Sequence, residues 1–454
     1  MRRTFALLAL ALASLAAAAV AALLRPAEPK PAPRPRPVTV SSDGMRIGAL
    51  FDRLYLPEDR SSTACLQINL AADAAPAQNA RIPVNAVLIL DRSGSMSGPK
   101  MARAREAARA LAQALGPEDR LAVVEFSSSA SVLVESTPVT EQARARALQA
   151  IEEIVPMGGT NLGAALAAAA PQLLRGAAPG RVDKVFLASD GRVNEGISER
   201  QALLRYAGQQ LPSATLSTFG IGNDYDEDLM SALAAQAGGR ARYIDSPEML
   251  SGALQAELSR ASALGARDVR IRVTGLSGAS VQGVLGFEPQ GGWVRLPDFA
   301  GGEERHVFVK LAVPAGHGLV DLASIELSFQ GPDAQPRRAQ TVARATFTAD
   351  ASLLALPPTG AAAAGAKAEM AQLAGQAALL LERGDAGKAR NQLTALNRIA
   401  AQAAAAAPAS ATEVKRFASE YESGVGKIDG EGSAASKKVK QKIFDDLRAP
   451  VAGW

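Results

Sequence analysis

The sequence is poor in cysteine, histidine and aromatic residues. Its 454 residues include a single cysteine, Cys65, so the chain has no intramolecular disulfide. The two histidines, His306 and His317, lie far along the chain from the acidic loops described below, which argues against a His-based catalytic triad or a His-ligated zinc site. Aromatic residues make up only 4%, so the core must be built from Ala, Val, Leu and Ile.

The chain also lacks a concentrated patch of one charge. The formal net charge is +4, but Lys and Arg are interspersed with Asp and Glu through the middle of the chain. The basic residues between 437 and 442 are interpreted as a solvated helix face. The charge pattern therefore predicts no nucleic-acid partner. With 48% apolar residues, the chain has enough material for two or three folded units.

The N-terminus is typical of an export segment. Arg2 and Arg3 precede an apolar stretch from Phe5 to Leu24, and residues 25–40 form a Pro-rich linker. Two interpretations of residues 1–24 remain open. Ala19-Val20-Ala21 offers a cleavage site for a signal peptide, and the apolar stretch is also long enough for a membrane anchor. Either way we expect the body of the chain to be exported.

Hydrophobic periodicity divides the rest into four regions. Residues 41–82 contain a β segment, and residues 83–261 alternate strands with amphipathic helices. Residues 266–350 show period-two runs typical of a β-sandwich, and residues 361–454 are Ala-rich and helical. Since the strand at 62–72 has no partner in the α/β region, we expect it to pair with the later sheet. The α/β unit would then be an insertion into the sandwich.

The α/β region predicts a doubly wound, mostly parallel sheet of six strands with helices on both faces. VNAVLIL is a continuous apolar run suited to a central strand buried on both sides. LAVVEF and SVLVES are separated by only four residues, so they are expected to form an antiparallel hairpin at the edge of the sheet.

Polar residues follow the carboxyl ends of the predicted strands. The first strand leads into Asp91, Ser93 and Ser95, a later strand leads into Asp190, and Thr160 lies in a Gly-flanked loop before a helix. Ligand sites of open parallel sheets form at this edge, so we expect these five residues to share one crevice.

Two carboxylates and three hydroxyls are hard oxygen donors that suit a small divalent cation. Mg²⁺ fits best, with Mn²⁺ or Ca²⁺ as alternatives. Because only two formal negative charges would face the ion, it would retain exchangeable waters, and an Asp or Glu carboxylate of a protein partner would replace one of them. Asp-x-Ser-x-Ser alone is a common turn sequence, so the prediction depends on three matching segments at strand ends.

These segments, VLILDRSGSMSGPK, GGTNLG and SDGRVNEG, resemble the von Willebrand factor A family with a complete metal-ion-dependent adhesion site. The resemblance covers roughly Pro83 to Ala261 and extends to bacterial secreted proteins of this class. It implies that Ser93 and Ser95 bind the metal directly, and that Thr160, Asp91 and Asp190 do so directly or through water. It also implies that the Asp190 loop and a last helix, Pro247 to Ala261, move on binding.

The function expected from these features is non-enzymatic, metal-dependent protein recognition or adhesion at the bacterial cell envelope, in the periplasm or at the cell surface. Inner-membrane attachment is expected only if residues 1–24 remain as an anchor. One alternative is a scaffold or accessory subunit of an envelope assembly with a structural metal. A metal-dependent hydrolase is less favoured because no general base is visible.

Several polar residues near the predicted site are interpreted as structural. Asn161, Asn194 and Glu195 are expected to shape their loops. The acidic residues before the helix at DEDLMSALAAQ are expected to cap it and to favour its N-terminus electrostatically. These acidic residues are Asp224, Asp226 and Asp228.

Overall fold

The computed structural model describes residues 38–74, 82–190, 192–222, 225–244, 252, 256–258, 263–287, 289–428, 439, 442 and 446. The predicted export segment therefore lies outside the described residues. Most of the predicted last helix of the α/β unit also lies outside them. Within the described residues, no helix combines the length and the apolar character needed to cross a bilayer.

The described residues contain seventeen strands and nine α-helices. In chain order the strands are β1 (Val38–Ser42), β2 (Met45–Phe51), β3 (Tyr55–Pro57), β4 (Ser62–Ala72), β5 (Val84–Asp91), β6 (Arg120–Phe126), β7 (Ala130–Pro138), β8 (Val182–Ser189), β9 (Thr215–Ile221), β10 (Ala241–Ile244), β11 (Leu264–Gly275), β12 (Ser280–Val284), β13 (Trp293–Arg295), β14 (Phe299–Ala300), β15 (Glu304–Val313), β16 (Gly318–Gln330) and β17 (Pro336–Thr348). The helices are α1 (Pro99–Ala114), α2 (Glu141–Glu152), α3 (Leu162–Gly176), α4 (Arg200–Gln210), α5 (Glu227–Gln236), α6 (Ala351–Leu354), α7 (Gly360–Glu382), α8 (Ala386–Ala406) and α9 (Ala411–Gly426).

The α/β unit has the predicted doubly wound architecture. Its six strands are ordered β10-β9-β8-β5-β6-β7, and all neighbours are parallel except the β6–β7 hairpin at the edge. Every residue of the central strand β5 is buried, as its continuous apolar run requires. Two separate clusters of buried apolar residues, one on each face of the sheet, pack against the helices.

The β-rich segments form a two-sheet sandwich with one apolar core. One sheet is ordered β1-β2-β4-β15-β12, and the other contains β13-β11-β16-β17-β3 with β14 beside β11. Residues 62–71 of β4 pair antiparallel with the whole of β15. The chain therefore leaves the sandwich before the α/β unit and returns to it afterwards. The predicted linker ran to residue 40, but Val38–Ser42 already forms β1 because its β-branched residues favour a strand.

The α/β unit meets the sandwich at the end of its sheet where β5 and β8 begin. Lys184 of β8 forms an ion pair with Asp298 of the sandwich, with Nζ and Oδ2 3.0 Å apart, and both side chains are nearly buried. The Thr215 hydroxyl donates to the same carboxylate oxygen at 2.7 Å. Burial on its own would raise the pKa of Asp298, but Lys184 and Thr215 hold it below its usual value.

Three long helices, α7, α8 and α9, form a small bundle with its own apolar core. Helix α7 lies against β4 of the sandwich, where Lys310 of neighbouring β15 forms an ion pair with Glu369 at 2.6 Å. Gly365 allows this close approach, since a Cβ added there would lie 2.7 Å from the Cys65 sulfur. Cys65 is thus a strand residue covered by a helix.

Candidate metal centre

Asp91 occupies the last position of β5, and its carboxylate is completely buried. One oxygen, Oδ1, accepts the backbone N–H of Ser93 at 2.8 Å. The other, Oδ2, accepts the hydroxyl of Ser189 at 2.5 Å. Since Ser189 ends the neighbouring parallel strand β8, this bond joins the carboxyl ends of two adjacent strands.

The two serines of the loop lie side by side. The Ser93 and Ser95 hydroxyl oxygens are 3.0 Å apart, with Ser93 buried and Ser95 exposed. The short 3₁₀ turn Gly94–Met96 follows Ser93, and its buried Met96 fixes the loop on the core. The turn therefore directs two oxygen donors to the same place, one of them open to solvent.

Asp190 follows β8 directly, and its side chain has no solvent exposure. The Lys100 ammonium lies 3.1 Å from Asp190 Oδ2, and the backbone N–H of Arg192 donates to Oδ1 at 3.4 Å. The Asp190 carbonyl accepts the backbone N–H of Asp226 at 2.7 Å, which fixes the loop to the start of α5.

Thr160 is buried in the loop before α3 and is held from two sides. Its backbone N–H donates to Asn194 Oδ1 at 2.7 Å, and its carbonyl accepts the N–H groups of Asn194 and Glu195 at 3.2 Å. Asn161 caps α3 by accepting the N–H of Ala164 at 3.1 Å. The loop roles expected for Asn161, Asn194 and Glu195 match these contacts.

Backbone hydrogen bonds join the Thr160 loop to the serine loop. The N–H of Gly94 donates to the Gly158 carbonyl at 3.0 Å, and the N–H of Met157 donates to the Arg92 carbonyl at 2.7 Å. The structure thus places Asp91, Ser93, Ser95, Thr160 and Asp190 in interconnected loops at one edge of the sheet.

Burial raises the pKa of the Asp91 carboxyl, and the negative charge of Asp190 adds to this effect. Hydrogen bonds from Ser189 and Ser93 oppose it. Two buried carboxylates of like charge are a natural site for a cation, because a cation stabilises the charged form of both. Among the described residues, no group of three or more His, Cys, Asp or Glu side chains is placed so that it could hold a metal ion. The five predicted donors are two carboxylates and three hydroxyls, which are the hard oxygen atoms that divalent ions such as Mg²⁺ or Ca²⁺ accept as ligands.

Sequence reasoning missed two residues of this site, Lys100 and Ser189. A lysine in the first turn of a helix opposes the helix dipole, so its position two residues after Gly98 is a detectable signal for a nearby anion. Ser189 is a hydroxyl residue at the end of β8, directly before Asp190, and its place at the carboxyl edge of the sheet is a signal for a contact such as the one with Asp91.

The other polar residues considered from the sequence lie away from the five donors or have structural roles. Asp226 caps α5 by accepting the N–H of Leu229 at 3.0 Å, and Asp228 lies in the first turn. Asp224 lies outside the described residues. His306 lies in β15 and His317 precedes β16, so both belong to the sandwich.

Comparison with known proteins identifies the α/β unit. The family model of the von Willebrand factor type A domain matches residues 85–256. The chain is 32% identical to the Synechocystis protein sll0103 over 182 residues. This match covers 40% of this chain and 42% of that protein. It is 30% identical over 192 residues to the Escherichia coli protein YfbK, covering 42% of this chain and 33% of that protein. The chain thus spans less than half the length of these relatives.

A solved structure, a von Willebrand factor type A protein from Catenulispora acidiphila, extends the likeness beyond this unit. It superposes with a TM-score of 0.67 over 92% of this chain and 100% of the other, at 20% sequence identity. At this identity the likeness concerns the fold, and it includes the regions on both sides of the α/β unit.

Proposed function

Because the family model of the von Willebrand factor type A domain matches residues 85–256, we propose that the protein is a metal-dependent recognition module of the bacterial cell envelope. Domains of this type generally serve protein–protein interaction or adhesion, and they commonly bind a divalent metal at the carboxyl edge of the sheet. In this proposal Asp91, Ser93, Ser95, Thr160 and Asp190 hold Mg²⁺, and an Asp or Glu of a protein partner binds there.

The observation that carries the proposal is the connection between the loops of the five donors. Asp91 is bonded to Ser189 of the next strand, and the serine loop is bonded to the Thr160 loop through Gly94 and Gly158. The donors are therefore preorganised, which reduces the ordering that binding requires. A divalent ion bound here supplies a Lewis-acidic acceptor for a carboxylate oxygen.

The exposure of the residues supports capture of a ligand from solvent. Asp91, Ser93, Thr160 and Asp190 are buried, whereas Ser95 and Gly94 are exposed. The two carboxylates are thus buried in the protein, and Ser95 and Gly94 face the solvent. In the proposal, a partner's carboxylate approaches from this exposed side.

The proposed location depends on the basic, apolar and Pro-rich pattern of the N-terminal segment. Whether that segment is cleaved or retained, the proposed site would function outside the cytoplasm. The non-enzymatic part of the proposal is supported by the positions of both histidines, which lie in the sandwich and not in the loops of the five donors.

Metal binding is tested by titrating the purified chain with Mn²⁺ and following the free ion by electron paramagnetic resonance, with Mg²⁺ as competitor. We expect one site that Mg²⁺ displaces and that Asp91→Ala or Thr160→Ala weakens at least tenfold. The matched control is Thr140→Ala, at a residue that is not one of the five donors. It removes the N-cap of α2, where Thr140 Oγ1 accepts the backbone N–H of Ala143 at 3.1 Å. Equal Mn²⁺ binding by wild type and Asp91→Ala would contradict the proposal.

Partner recognition is tested by crosslinking in the native envelope followed by mass spectrometry. We expect the same crosslinked protein with wild type and Thr140→Ala, and its loss with Thr160→Ala or with chelator. A partner that persists with Thr160→Ala and with chelator would favour the scaffold role through the sandwich and helices instead.

A further inference from the structure

Lys100 lies inside the candidate metal centre but is not one of the five oxygen donors. Its Nζ is 3.1 Å from Asp190 Oδ2, and the Asp190 side chain has no exposure to solvent. The Lys100 side chain is itself only 18% exposed. Such a pair is screened weakly by water, so its Coulomb energy is larger than that of a surface pair.

The position of Lys100 in its helix indicates that this contact has a specific role. It is the second residue of α1, where the unpaired N–H groups carry a partial positive charge and a cation is disfavoured. The first turn of α1 contains no acidic residue that would offset this. The Asp190 carboxylate compensates for the unfavourable placement.

The charges of the site show what the contact does to a metal. Asp91 and Asp190 together carry two negative charges, and Lys100 reduces this sum to one. A divalent ion that binds to Asp91 and Asp190 must therefore bind next to the Lys100 ammonium, which already neutralises the charge of Asp190. With the ion bound, these groups sum to one positive charge, which favours an anionic ligand.

We propose that Lys100 is the internal counter-ion of Asp190 and competes with the divalent ion for that carboxylate. This inference rests on the proposed function, since it takes the metal site as given. Lys100 stabilises Asp190 when the ion is absent, lowers the affinity for the ion, and leaves a positive charge that a partner's carboxylate neutralises. Binding of the metal and binding of the partner then favour each other. The metal makes the charge of the site positive, which attracts the partner's carboxylate, and that carboxylate offsets the repulsion between the metal and Lys100.

The test compares Mn²⁺ affinity and thermal unfolding of wild type, Lys100→Met and Lys100→Arg. Lys388→Met is the matched control, since Lys388 is 70% exposed on α8 of the helical bundle. Removing one adjacent positive charge is expected to tighten Mn²⁺ binding by on the order of ten- to a hundredfold. Lys100→Arg keeps the positive charge and should not tighten Mn²⁺ binding, and Lys388→Met should bind as wild type does.

Thermal unfolding provides the second measurement. Without metal, Lys100→Met should unfold at a lower temperature than wild type, because Asp190 loses its counter-ion, and saturating Mn²⁺ should narrow that difference. A purely structural role of Lys100 would lower the unfolding temperature without tightening Mn²⁺ binding, and that result would overturn the inference. Lys100→Gln serves as a second charge-removing variant if Lys100→Met does not fold.

The two proposals fail in different ways. If wild type binds Mn²⁺ and Asp91→Ala does not, but Lys100→Met binds no more tightly than wild type, the role of Lys100 is wrong and the metal centre stands. If wild type and Asp91→Ala bind Mn²⁺ equally, both proposals are wrong.

Discussion

The buried ion pair between Lys184 and Asp298 is expected to contribute strongly to the stability of the chain. The replacement Asp298→Asn removes the negative charge of the pair. It leaves the Lys184 ammonium without a counter-ion at this position, and the Lys184 side chain is only 5% exposed. Breaking a buried pair in this way costs about 3–5 kcal/mol. We expect the lower end, about 3 kcal/mol, because Asn still accepts the hydrogen bond that Thr215 donates.

Urea unfolding of the full chain, followed by far-UV circular dichroism, measures this cost. The matched control is Asp321→Asn, which breaks an ion pair with Arg344 in which both side chains are about half exposed. Exposed pairs contribute about 0–1 kcal/mol, so the control should change the unfolding free energy little. Similar small losses for Asp298→Asn and Asp321→Asn would refute the reasoning.

The same pair predicts a pH dependence. The pKa of Asp298 in the folded chain lies below its unfolded value, so the carboxylate stabilises the fold above the unfolded pKa of about 3.9. This contribution is lost as the pH falls through the lower, folded pKa. Wild type should therefore lose more stability than Asp298→Asn on acidification below pH about 4. Parallel pH profiles of the two proteins would contradict the assignment.

Three further predictions concern other contacts. Gly196→Ala should destabilise the chain by about 1–3 kcal/mol in urea unfolding and weaken Mn²⁺ binding. The reason is that Gly196 has φ +70° and that a Cβ there would lie 2.3 Å from Asn161 Oδ1, beside the Thr160 loop. The control Gly180→Ala has a similar φ of +75° but open space around it, so it should leave Mn²⁺ binding unchanged. Burial raises the pKa of the Cys65 thiol to about 12, so at pH 8 this thiol should react with a disulfide reagent much more slowly in the native chain than in denaturant, and equal rates would show that α7 does not protect it. Ser189→Ala should weaken Mn²⁺ binding by several-fold, because Asp91 loses the donor that fixes its Oδ2, and unchanged binding would show that this bond does not orient the carboxylate.

The fold class could be predicted from the sequence because its periodicity changes clearly from one region to the next. The buried run at β5, the short loop between β6 and β7, and the period-two segments after Ala266 each specify a local structure. Two pairings expected from the sequence are present, the β6–β7 hairpin and β4 with the later sheet. The predicted Pro-rich linker ended at residue 40, inside β1, because strand ends depend on pairing that a single segment does not encode.

The candidate site could be predicted only in part, for a physical reason. Asp91 and Asp190 stand at the carboxyl ends of two predicted strands. Because the strands of a parallel sheet run in the same direction, both residues are expected at the same edge of the sheet. The Lys100 contact depends on how α1 is oriented over that edge, and the Ser189 bond depends on a side-chain rotamer. Neither is encoded in spacing along the chain, although the unfavourable helix position of Lys100 gives a local indication.

The orientation of β5 has a mechanical consequence for a protein that would hold a partner. The strand begins beside the sandwich, where Val84 pairs with Val182 and Arg267 of the sandwich donates to the Arg181 carbonyl at 2.9 Å, and it ends at Asp91. A pull on a ligand at Asp91 would therefore be transmitted along the axis of β5. Its hydrogen bonds to β6 and β8 would then be loaded together in shear, which resists force better than opening them one at a time.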